Sequence, residues 1–123
     1  MNEIEKLFYN KFVKKLTEDE ADVNLIKPQV SCGIYVVDFI FSESIAIEID
    51  GHEYHKTKEQ REKDYKKQRY LQKNGYIVVR FMGTEVFINT ESCIDEVREI
   101  SDVFNEINIK NYEIGYKSGV SND

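Results

Sequence analysis

Asp38, Glu48 and Asp50 are three carboxylates set in β-rich apolar sequence, where a carboxylate is out of place. The surrounding stretches read Tyr35-Val36-Val37-Asp38-Phe39-Ile40-Phe41 and Ile45-Ala46-Ile47-Glu48-Ile49-Asp50-Gly51, separated by Ser42-Glu43-Ser44. Side chains alternate along a strand with period two, so Glu48 and Asp50 share one face, and Asp38 lies one hairpin away. Buried carboxylates are costly unless a positive group sits among them. A divalent cation with oxygen ligands is the simplest such partner, and it points to metal-dependent phosphodiester chemistry.

Elements of both kinds are needed to hold these residues. Asn2 to Leu16 carries Ile4, Leu7, Phe8, Phe12 and Leu16 at helical spacing, with Glu5 falling inside that apolar stripe. Val23–Ser31 is expected as a first strand, at an edge because of Pro28. Ile34–Phe41 and Ser44–Asp50 complete an antiparallel meander closed by Gly51. Lys56–Asn74 is a charged helix stopped by Asn74-Gly75. Tyr76–Phe81 is a near-continuous apolar run, expected as a central strand covered on both faces. A short turn from Thr84 leads through Val86-Phe87-Ile88 to a closing helix, Glu91–Ile107. Asn111–Tyr116 is expected as an extra strand or loose arm. The order is αβββαβα: one domain over residues 1–116, and a flexible tail over 117–123.

At 123 residues the chain suits one domain, and 41% hydrophobic residues is ordinary globular composition. No apolar run is long enough to span a bilayer and no signal-peptide pattern opens the chain, so a cytoplasmic location without membrane contact is expected. Cys32 and Cys93 make no disulfide framework and no metal-binding pair. The net charge of −6 is unevenly spread: residues 55–73 hold eight Lys/Arg against three Asp/Glu. A basic helix beside a carboxylate cluster fits a focused phosphate site; a solvated helix balanced by i,i+4 pairs is the plainer alternative. On that helix Gln60, Asp64, Lys67 and Leu71 recur on one face. Leu71 would anchor it to the core, with the other three near the carboxylates, or with Asp64 and Lys67 merely paired at the surface.

A carboxylate on one strand, a hairpin, and Glu-x-x on the next resembles the PD-(D/E)xK nuclease superfamily. Within it, the stretch from Gln29 to Val86 resembles the small bacterial nucleases related to very-short-patch-repair endonucleases, and nuclease domains appended to some helicases. The matching positions are Gln29, Asp38, Glu48, Asp50, His55, Gln60, Asp64, Lys67, Leu71, Gly75, Arg80, Phe81, Gly83 and Glu85, covering about half the chain. Two positions depart from the pattern. Asp50 stands where the superfamily lysine is usual, although this branch commonly has Asp, and Lys67 replaces a more usual Arg.

The resemblance implies a restriction-endonuclease-like α/β core, a mixed sheet of about four strands flanked by helices. It implies a Mg²⁺- or Mn²⁺-dependent endonuclease acting on DNA by direct water attack. Asp38, Glu48 and the backbone carbonyl of Ile49 would be metal ligands, and Asp50 would bind a second ion or hold a water. His55 would be the general base or water positioner, with His52 the weaker choice. Lys67 would take the phosphate-stabilising role of the missing lysine, Gln60 and Arg69 would touch nucleic acid, and Glu5, Gln29 and Asp64 would be accessory. Tyr35, Tyr54, Tyr65 and Tyr70 suit the core or rim better than base stacking. A chain this small leaves little surface for sequence reading, so a homodimer or a specificity-supplying partner protein is expected. The competing function is a weak or inactive nucleic-acid-binding module of the same fold.

Overall fold

A computed structural model describes residues 1–51 and 56–117, the last four through their helical backbone alone. Helix α1, Glu3–Glu18, starts at a capping box in which Asn2 and Glu5 satisfy each other's backbone amides. Its Phe8, Phe12 and Leu16, one turn apart, are fully buried. A 3₁₀ turn at Val23–Leu25 then leads into β1, Ile26–Cys32, followed by β2, Tyr35–Phe41, and β3, Ile45–Asp50. The expected start of β1 at Val23 is corrected by Asp22, whose side chain accepts from the Asn24 amide and winds the entry into a turn. Helix α2, Lys58–Lys73, is capped by Thr57 and leads to β4, Ile77–Met82. A short α3, Gly83–Ile88, and a long α4, Thr90–Lys117, complete the chain.

The sheet order is β1-β2-β3-β4, antiparallel except for the parallel β3–β4 pair, so the expected mixed four-stranded sheet flanked by helices is the fold. One face carries α1 and α4, where Phe8, Phe12, Ile94 and Val97 meet Phe39, Phe41, Ile45, Ile47, Ile49 and Phe81. The other face takes α2, whose Leu71 packs with Val37, Ile40 and Ala46.

Two expectations are corrected. The apolar run of β4 does not make it central: among the described residues it neighbours β3 alone, and the central strands are β2 and β3. Its Ile77, Val79 and Phe81 face the large cluster and Val78 the α2 side, so cover on both faces explains the composition without a second neighbour. Asn111–Tyr116 is neither strand nor loose arm, because α4 continues through it to Lys117. Nothing between Glu91 and Tyr116 breaks a helix before Gly115, so no local stop ends α4 at Ile107. Among the described residues, no helix is long and apolar enough to cross a membrane. The rest of the expected tail lies outside the described residues.

Candidate active site

The site forms where β2 and β3 part. Their ladder runs from Phe41↔Ile45 to Phe39↔Ile47 and stops there, although both strands continue. The next opposed pair is Asp38 and Glu48, and their carboxylates take over what the ladder leaves open. The Asp38 amide donates to Glu48 Oε2 at 3.1 Å, and the Ile49 amide donates to Asp38 Oδ2 at 2.8 Å. Side chains thus satisfy backbone amides that would otherwise be buried without partners.

The same point interrupts the alternation of β2. Phe39 and Phe41 belong to the large cluster while Val37 packs with Leu71 on the opposite side, so the face changes across Asp38. Strand β1 changes with it. Gln29 falls opposite Asp38, between the pairs Pro28↔Phe39 and Val30↔Val37, and has φ 51°. Glu20, Ser42 and Glu43, the other described non-glycine residues with positive φ, lie outside the strands.

Glu48 is 7% exposed, and its buried charge is met by Lys67 from α2. The Lys67 ammonium also donates to the Val36 carbonyl at 2.8 Å, which fixes it over the opened strands. Burial pushes the Asp38 carboxyl up to about 7; the Ile49 amide opposes that shift, while the charges of Glu48 and Glu5 reinforce it. Glu5 is therefore within electrostatic reach of Asp38 from the first turn of α1, where its carboxylate also holds Asn2.

A second charged group adjoins the first. Asp50 receives a bidentate fork from Arg80 on β4, Nη2 to Oδ1 at 2.9 Å and Nε to Oδ2 at 3.3 Å. Lys56, just ahead of α2, lies 3.7 Å from Asp50 Oδ1 and pairs with Asp64. Arg80 also lies 3.8 Å from Asp64 Oδ2. Burial alone would lower the Arg80 pKa, but Asp50, Asp64 and Glu48 outweigh it and hold it raised. Asp64 and Lys67 are thus not each other's partners: Lys67 reaches Glu48 of β3, whereas Asp64 reaches Lys56 and Arg80.

The remaining candidates sit further out. Gln60 uses its carboxamide to accept from the Thr57 amide at 2.9 Å, closing the cap of α2. Arg69 is exposed on the same helix. His52 and His55 lie outside the described residues. Tyr35 and Tyr70 meet edge to face at 5.2 Å, a packing contact near Gly33. Burial, with Glu85 and Glu96, pushes the Cys93 thiol up to about 11, which makes it a poor nucleophile at neutral pH.

Lys56 and the role of Arg80 were not read from the sequence. Arg80 had a signal of the kind that revealed Asp38, a charge inside an apolar strand, and it stands in register with Glu48. Lys56 is one cation among eight in its segment, and nothing local marks it.

The donor set suits a hard divalent cation. Mg²⁺ is commonly held through one or two carboxylates, with water and phosphate oxygens filling its shell, and Asp38 with Glu48 supplies that pair. Asp38, raised by burial and by its neighbours' negative charge, is the group a cation would relieve. Among the described residues no three His, Cys, Asp or Glu side chains converge into a fuller ligand set.

The chain belongs to the restriction-endonuclease-like family described as REase_MTES_1575, whose model matches residues 8–100. The fold is similar to that of the Homing Endonuclease I-Bth0305I Catalytic Domain, with a TM-score of 0.52 at 16% identity, over 74% of this chain and 90% of that one. No curated protein matches the sequence.

Proposed function

We propose that this chain is a divalent-cation-dependent endonuclease that hydrolyses DNA phosphodiester bonds by direct attack of water. The observation that carries this reading is the Asp38–Glu48 fork at the parting of β2 and β3, with Lys67 seated on it. Asp38 and Glu48 would hold Mg²⁺ or Mn²⁺, with the Ile49 carbonyl as a further oxygen. Such an ion, when bound, helps to ionise the attacking water and offsets the charge gained by the phosphate. Lys67, tethered to the Val36 carbonyl, supplies positive charge to the scissile phosphate in place of the superfamily lysine. Asp50 orients Arg80, so that the guanidinium stands beside Glu48 as a second fixed cation. The outer surface of α2, including Arg69, meets backbone phosphates, while Gln60 and Thr57 preserve the helix start. His55 as the base that accepts the water's proton rests on the family resemblance.

A second reading has its own observation. Glu48, Asp50 and Asp64 are each already met by a protein cation, so the cluster is largely neutralised within the chain, as in a binding module that needs no metal. Supercoiled, linear and single-stranded DNA incubated with Mg²⁺, Mn²⁺ or EDTA separates the two. The nuclease reading expects ion-dependent cleavage, abolished in Asp38→Asn and Glu48→Gln with DNA affinity retained. DNA binding without cleavage under any ion, unaltered by EDTA, would establish the binding module instead.

A further inference from the structure

Past Phe104, the side chains of α4 leave the domain core as far as Glu113. At ~1.5 Å per residue its 28 residues extend about 42 Å, longer than the sheet it packs on. Its first half is anchored by Cys93, Ile94 and Val97, all buried in the core. From Asn105 to Glu113 every residue is exposed. A helical stretch of that length is marginal by itself in water, and its exposed apolar side chains would gain from packing. An apolar groove leads out to it from the domain, walled by Ile77 of edge strand β4 and by Ile100, Val103, Phe104 and Ile107 of α4. Val103 and Ile107 are 55% and 50% exposed.

The spacing of this stripe admits a second copy of the same helix, and the charges that flank it favour one. Ile100, Val103, Phe104 and Ile107 are arranged symmetrically about the midpoint between Val103 and Phe104. An identical helix laid antiparallel across that midpoint sets Ile100 against Ile107 and Val103 against Phe104. Charges follow the same symmetry. Glu96 would lie level with Asn111, Glu99 with Asn108, Asp102 with Asn105, and Glu106 with the buried Ser101, so no two acidic groups are directly opposed. Lys110 would land between the exposed Glu96 and Glu99. A helix that is acidic along this stretch repels phosphate, which argues against nucleic acid as the occupant.

We propose that two copies of this chain associate through α4, antiparallel about a two-fold axis between Val103 and Phe104. The contact is isologous, each copy offering the same stripe to the other. A helix pair with one added wall residue per copy lies at the small end of specific interfaces, which suits a dissociation constant on the order of micromolar.

Sedimentation equilibrium of the whole chain over a concentration series tests this. The expected result is a concentration-dependent rise from 14.5 kDa to twice that mass. Ile107→Lys should give monomer at every concentration with unchanged circular dichroism of the domain. Lys110→Glu, at an exposed position without bearing on folding, should weaken association roughly fivefold to tenfold through the two symmetric contacts. Adding Glu96→Lys and Glu99→Lys to Lys110→Glu should restore it. A wild-type monomer into the hundreds of micromolar, a dimer indifferent to Ile107→Lys, or a triple variant no better than Lys110→Glu would each overturn the proposal.

Discussion

Proton and metal ion should compete for Asp38, and the pH dependence of metal binding follows from that. In the metal-free chain this carboxyl is held at about 7, against an ordinary value of 3.8, because it is buried and faces Glu48 and Glu5. A cation must find it ionised. Between pH 8 and pH 6 the ionised fraction falls about tenfold for a group titrating near 7, whereas at an ordinary carboxylate it would barely change. Calorimetric titration of Mn²⁺ should therefore show about a tenfold weaker apparent affinity at pH 6 than at pH 8, with about one proton released per ion below pH 7. Glu48→Gln should weaken binding and move the window to lower pH, but only in part, since burial is the largest cause of the shift. Asp38→Asn should abolish both the tight binding and its pH dependence.

The sign for stability is opposite. Without metal, the folded state holds a proton on Asp38 that the unfolded chain has lost between pH 3.8 and about 7. This contribution is therefore complete below the unfolded pKa and is lost as pH rises through the folded one. Thermal melts in EDTA should show wild type losing ground to Asp38→Asn as pH climbs through that window, and Mn²⁺ should recover the loss in wild type only. A Mn²⁺ affinity flat from pH 6 to 8, together with equal binding by Asp38→Asn, would refute the assignment of the proton and the ion to one site.

Lys67→Met should destabilise the metal-free fold by roughly 2–4 kcal/mol, because it removes the ion-pair partner of the buried Glu48 and leaves only Arg80 nearby, and Mn²⁺ should raise the melting temperature more in the variant than in wild type. Arg80→Lys keeps the charge but loses the bidentate fork on Asp50, so cleavage should fall at least about tenfold with little change in DNA affinity; equal cleavage would remove Asp50 and Arg80 from the mechanism. Removing charge at Arg69 and Lys66 should lower DNA affinity and reduce the salt slope by about one for each phosphate no longer neutralised, and an unchanged slope would leave α2 as solvated surface. Gln29→Gly should raise stability by up to about 1 kcal/mol in urea titration, since φ 51° favours glycine, while a drop in stability would show that the Gln29 side chain holds the strand.

Asp38 and Glu48 are visible in the sequence because a charge inside an apolar strand is expensive, and few arrangements compensate it. Leu71 and the stripe Phe8, Phe12, Leu16 are visible because burial imposes a period on composition. What stays hidden is whatever depends on a period being broken. Alternation read along Tyr35–Phe41 assumes an unbroken ladder, yet the ladder opens at Asp38, the face changes between Val37 and Phe39, and Gln29 takes up the matching distortion on β1. No local pattern announces that opening, because its cause is tertiary: two carboxylates capture the Asp38 and Ile49 amides, and Lys67 holds Glu48 in place. Pairing among charges is hidden for a related reason. Helical spacing sets Asp64 and Lys67 on one side of α2, but it does not say that one reaches Lys56 and Arg80 while the other reaches Glu48. The strand position of β4 fails for the converse reason, since apolar composition reports cover on the two faces and carries nothing about lateral neighbours. The distortion at Asp38 and Gln29 costs stability that an ideal sheet would keep, and a cost concentrated at one point of an otherwise regular fold is where the chemistry should be sought.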